Sequence, residues 1–90
     1  MYTNSDRYEY KNDSQCTKIM VLDDDFDIAT LVKMTLQRNG FKNVFVFTDP
    51  FLALKDFRLN HMTYSLVISD IRMPIMNGFE FLRELSRIKP

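Results

Sequence analysis

Two short apolar runs in this chain each close in a carboxylate. Ile19-Met20-Val21-Leu22 leads into Asp23-Asp24-Asp25, and Leu66-Val67-Ile68-Ser69 leads into Asp70. Short runs rich in β-branched side chains read as strands buried on both faces, the habit of parallel sheets. Ligands of such sheets bind outside the carboxyl ends of the strands. If the two runs are neighbours, their carboxylates gather at one edge, where like charges raise one another's pKa unless a cation is present. The pattern points to a divalent metal, with Mg2+ the first choice for an all-oxygen site.

The elements between these runs alternate regularly. A strand over Lys18 to Leu22 is followed by a helix beginning near Asp25 to Asp27, with Ile28, Leu31, Val32 and Leu36 expected on its apolar face. Asn39-Gly40 supplies a helix stop, and Val44-Phe45-Val46-Phe47 reads as a second strand. Asp49 and Pro50 suit the cap and first turn of a second helix, with Phe51, Leu54 and Phe57 as its expected buried side. A turn near Asn60 to Thr63 leads to a third strand, Ser65 to Ser69, and so to Asp70. Pro74 and Gly78 mark a loop, after which Phe79 to Ile88 reads as a helix with Phe79, Leu82 and Leu85 or Ser86 on one side. The order β-α-β-α-β-α predicts right-handed crossovers and a parallel sheet, hence an α/β fold.

Residues 1–17 carry neither periodicity and are expected to form a flexible leader ahead of a single domain over residues 18–90. Tyr2, Tyr8 and Tyr10 read as part of that tail rather than as a docking patch. With 46% hydrophobic and 27% charged residues in 90, the chain is too apolar for overall disorder but long enough for only one modest core. Its 12 Lys and Arg balance 12 Asp and Glu, and no basic stripe appears, so a nucleic-acid partner is not expected. Cys16 is the only cysteine, which rules out an internal disulfide or thiolate cluster and fits a reducing compartment. No apolar stretch approaches a membrane span or a signal-peptide core, so a cytoplasmic location without membrane association is expected. The phenylalanines are read as mainly core-facing rather than as a stacking box, and His61 as a helix-end or solvated residue.

If the chain reverses direction after its second strand, the first and third strands lie side by side and Asp23, Asp24 and Asp70 share one crevice. Two of them can then hold Mg2+ while one attacks a phosphoryl group, leaving an acyl phosphate on Asp70. The segment Leu66-Val67-Ile68-Ser69-Asp70-Ile71-Arg72-Met73-Pro74-Ile75-Met76-Asn77-Gly78, placed after the acidic Asp23-Asp24-Asp25, closely resembles the receiver domain of two-component response regulators. The resemblance runs from about Lys18 to the last residue. It implies a flavodoxin-like, doubly wound sheet of strand order 2-1-3, here incomplete. It also implies that Asp70 is the phosphoacceptor and that Asp23 and Asp24 bind Mg2+, Asp24 more directly. Asp70 and the backbone carbonyl of Arg72 complete the implied metal site, and Pro74 and Gly78 shape the loop after the acceptor. The implied partner is a sensor histidine kinase or a phosphotransfer protein, with another receiver chain as a further contact. By the same resemblance the protein is a substrate in a phosphorelay rather than an enzyme.

Receiver domains generally have five strands and five helices, whereas this sequence reaches Lys89-Pro90 after the third helix. It is therefore expected to be a fragment, a shortened product or half of an assembly. No residue takes the place of the Ser or Thr after the fourth strand, or of the Lys after the fifth, and Lys89 does not fill that role. An exposed third-strand edge and a half-covered first helix are expected to follow, with Ile28, Leu31 or Val32 open to solvent. A receiver-like interaction module without phosphate switching stands beside the phosphoacceptor reading. A haloacid-dehalogenase type, with Asp23 as nucleophile and Asp25 as acid, fits Asp23-Asp24-Asp25 but leaves Met73-Pro74 to Gly78 unexplained. A calcium loop on Asp23, Asp25 and Asp27 fails because Ile28 and Met34 stand where Gly and Glu are needed.

Overall fold

In the computed structural model, which describes residues 2–3 and 17–88, the elements follow the expected alternation with one addition at the start. They are β1 (Tyr2–Thr3), β2 (Lys18–Leu22), α1 (Phe26–Arg38), β3 (Asn43–Phe47), α2 (Pro50–Asn60), a 3-10 turn (His61–Thr63), β4 (Leu66–Ser69) and α3 (Gly78–Ile88). The sheet order is β1-β4-β2-β3. β2 is central, pairing in parallel with β3 on one side and β4 on the other. Counted from Lys18, this is the expected order 2-1-3.

Alternation along the strands sends successive side chains to opposite faces and builds two apolar layers. Met20, Leu22 and Val67 face α2 and α3, where they pack with Leu54, Phe57, Phe81 and Leu85. Ile19, Val21 and Val44 face α1 and meet Ala29, with Val32 and Leu36 beside them. The helix ends follow the local sequence. Asp25 caps α1 by accepting the amides of Asp27 and Ile28, and Asp49 caps α2 by accepting that of Phe51. Gly40 has φ 93°, the left-handed position that lets the chain turn off α1.

Several faces differ from the sequence reading. On α1, Ala29 rather than Ile28 or Leu31 of the expected apolar face is buried, while Ile28 and Leu31 stand open to solvent as expected of a half-covered first helix. In α2 the buried set is Pro50, Ala53, Leu54 and Phe57, while Phe51 points outward. In α3, Gly78, Phe81 and Leu85 face the sheet and Phe79 is 68% exposed. Each helix buries one small residue, Ala29, Ala53 or Gly78, and α2 and α3 add large apolar side chains beside it. His61 ends α2 as expected, yet its Nδ1 is buried without a hydrogen-bond partner.

The start of the chain departs most from expectation. Tyr2 and Thr3 form β1, antiparallel to β4 with Tyr2 opposite Val67 and Thr3 opposite Leu66. They were expected within a flexible leader, and β4 was expected as an exposed edge. Instead β1 covers part of that edge. Tyr8, Tyr10 and Cys16 lie outside the described residues.

Candidate functional site

The register of the sheet decides where the acids meet. Leu22 sits opposite Phe47 on one side and Ser69 on the other, so β2 and β4 end at the same level. The ladder then extends one step past the strands: the Asp23 amide donates to the Phe47 carbonyl at 3.1 Å and the Asp70 amide to the Leu22 carbonyl at 2.9 Å. Two acid-bearing residues are thereby pinned side by side at the carboxyl edge, since adjacent strands run about 4.8 Å apart.

Asp23, Asp24 and Asp70 each offer a carboxylate oxygen within 4.8 Å of the others, the one such group of metal-binding side chains among the described residues. Asp24 is exposed, and Asp23 and Asp70 are half-buried. The Asp23 carboxyl titrates above its ordinary value. Partial burial is the main cause, opposed by the Asp25 amide donating to Oδ1 at 2.9 Å and reinforced by the nearby charges of Asp70 and Asp24. A cation among these oxygens would relieve the repulsion, and carboxylate oxygens are the donors that Mg2+ prefers.

Asp25 belongs to a different task. Its Oδ1 accepts the amides of Asp27 at 2.9 Å and Ile28 at 3.3 Å, so it serves the helix and is absent from the acidic cluster. That division leaves the hydrolase pairing of Asp23 with Asp25 without its acid.

Beyond Asp70 the chain makes a tight loop. The Arg72 amide approaches Asp70 Oδ1 at 3.4 Å, and the Gly78 amide donates to the Ile71 carbonyl at 3.0 Å. Met73 is buried in the layer formed with α2 and α3, while Pro74 is exposed. Asn77 and Glu80 close the loop with a reciprocal cap: Asn77 Oδ1 accepts the Glu80 amide at 2.9 Å and Glu80 Oε1 accepts the Asn77 amide at 3.1 Å. Neither the Met73 anchor nor this cap was expected. The cap was readable from an Asn three residues ahead of a Glu, whereas the burial of one loop methionine had no local signal.

A conserved-domain model for the response regulator receiver domain matches residues 19–90. The chain belongs to this receiver-domain family. Among curated relatives of this receiver domain, the transcriptional regulatory protein CpxR homolog of Haemophilus influenzae is 33% identical over 80% of this chain and 30% of its own length. The probable transcriptional regulator ycf29 of Pyropia yezoensis is likewise 33% identical over 80% of this chain, and 31% of its own length. The chain thus spans less than a third of these relatives. A receiver domain protein from Clostridium thermocellum superposes with TM-score 0.77 at 32% identity, covering 82% of this chain and 58% of the other. Chemotaxis protein CheY4 of Vibrio cholerae gives 0.71 at 32% identity, covering 79% and 57%. Receiver domains are signalling modules rather than classical enzymes, they generally bind Mg2+ at an acidic pocket, and they interact with histidine kinases and phosphotransfer proteins. No helix of the described residues is long and apolar enough to cross a membrane.

Proposed function

We propose that this receiver accepts a phosphoryl group on the Asp70 carboxylate from a phosphohistidine of a sensor histidine kinase or phosphotransfer protein. The observation that carries this reading is the convergence of three carboxylates within 4.8 Å at the carboxyl edge of two neighbouring parallel strands.

Asp23, Asp24 and Asp70, with the Arg72 carbonyl, would hold Mg2+, which when bound neutralises charge on phosphoryl oxygens. The like charges of Asp70 and Asp24, which add to the effect of burial in raising the pKa of Asp23, support this fit, because a cation would offset them. Asp70 is the nucleophile. Its backbone is fixed by the bond to Leu22, so its carboxylate reaches the reacting group from a rigid strand end rather than from a free loop. A carboxylate oxygen forms the new bond to phosphorus as the bond to the donor imidazole nitrogen breaks, and the imidazole leaves with the electron pair. Asp24, the most exposed of the three, faces the solvent from which donor and cation arrive.

The test is labelling by a small phosphodonor such as acetyl phosphate with Mg2+, read by intact mass and site mapping. Wild type should gain one phosphoryl group on Asp70, and Asp70→Asn should gain none. No label on wild type, or equal label on Asp70→Asn, would sink the reading, and modification at Asp23 would favour the hydrolase alternative.

A further inference from the structure

We propose that Gly78 is a positioning residue for Asp70, and that the absence of a side chain at this helix position sets where the acceptor stands relative to Asp23 and Asp24. A chain keeps glycine either for a left-handed backbone or for close approach, and the two can be told apart. Gly40 is of the first kind, the one position with positive φ among the described residues. Gly78 begins α3 without positive φ, so an alanine there meets no backbone penalty.

What it would meet is Asp70. A Cβ on Gly78 would lie 2.4 Å from the Asp70 carbonyl oxygen, 2.9 Å from Ile71 Cα and 3.1 Å from the Asp70 carbonyl carbon. All three are backbone atoms, so no rotamer change relieves the contact. Asp70 is also held from the neighbouring strand, and α3 is tied directly across the contact. The Asp70 amide is bonded to the Leu22 carbonyl at 2.9 Å, and the Gly78 amide to the Ile71 carbonyl at 3.0 Å. Asn77 and Glu80 fix the first turn of α3, while Phe81 and Leu85 lock the helix into the core. A single methyl group at residue 78 therefore has to displace Asp70 from its register or α3 from the sheet. Displacing Asp70 changes the spacing of the three carboxylates, and Mg2+ demands near-ideal octahedral geometry of its ligands.

The inference rests on the reading of these carboxylates as a Mg2+ site, and it is tested by binding rather than by phosphorylation. Mg2+ is titrated into the full chain while the amide resonances of Asp23, Asp24 and Asp70 are followed by NMR. Gly78→Ala should weaken Mg2+ binding by about tenfold or more, the range seen when residues supporting metal ligands are changed. Leu85→Ala, which loosens the same helix away from the acids, should bind Mg2+ as wild type does. Equal weakening by both substitutions would reduce Gly78 to a packing residue and overturn the proposal, as would wild-type affinity in Gly78→Ala. Wild type that shows no Mg2+ response overturns the Mg2+ site and the role of Gly78 together, whereas normal binding by both chains removes only the latter. If Gly78→Ala is unfolded in dilute buffer, the titration is repeated with trimethylamine N-oxide, which favours the folded state. Failure to fold there as well would make Gly78 a folding residue and count against the proposal.

Discussion

Asp23 carries much of the cost of gathering negative charge at the sheet edge. Its carboxyl is raised above 3.8 chiefly by burial and then, against the Asp25 amide, by the charges of Asp70 and Asp24. Since the folded state holds this proton more tightly than the unfolded chain, stability rises as pH falls from the raised value toward 3.8 and is lost as pH climbs back through it. Asp23→Asn keeps an oxygen for the Asp25 amide while removing the charge. At neutral pH without divalent cation it should raise the thermal midpoint by roughly 1–3 °C, the scale of a few tenths of a kcal/mol left after solvent screening in a small domain. Scanning calorimetry at pH 7 and near pH 4 checks this, with the advantage shrinking at the lower pH. A lower midpoint for Asp23→Asn at pH 7 would mean that the Asp23 charge is already compensated.

At the scale of elements, Tyr64 ties α2 to the start of β4. Its ring is buried, stacks on Phe57 with centroids 6.1 Å apart, and lies under the Lys18 ammonium, 4.4 Å from the ring centre. Its hydroxyl donates to Asp56 Oδ2 on α2. Burial, that hydrogen bond and the Asp56 charge hold the phenol well above its ordinary value of 10.0. The stabilisation is complete below the unfolded pKa and fades as pH rises past it, by up to about 1.4 kcal/mol per pH unit for one proton. Urea unfolding from pH 9 to pH 11 should show this loss, and Tyr64→Phe should flatten it. The element pattern itself was largely legible. Asp25, Asp49 and Gly40 stop and start helices through local hydrogen bonds or a permitted φ, which a sequence states directly. Helix rotation was not legible in the same way. In α3, Phe79 and Phe81 offer rival apolar faces of similar size, and only the close fit of Gly78, Phe81 and Leu85 against the sheet chooses between them.

For the molecule as a whole, the two faces of the sheet are unequally covered. α2 and α3 close one face, while α1 covers the other alone, leaving Ile28 and Leu31 exposed on its flank and Leu66 and Ile68 half-buried on β4. The β4 edge is paired with β1, and unpaired strand edges invite association. Deleting residues 1–3 should therefore promote self-association, seen as a sedimentation coefficient that grows with concentration more steeply than in wild type. An unchanged profile would show that β1 does not guard this edge. Sequence alone determined the α/β alternation and which acids stand at the strand ends, because strand-end acids and helix caps act over a few neighbouring positions, and the receiver resemblance implied the order 2-1-3. The tertiary structure decided which helix faces are buried, that Tyr2 and Thr3 join the sheet, and that Gly78 abuts the Asp70 backbone. Those outcomes depend on contacts between segments far apart in the chain, where shape and register, rather than residue type, select the partner.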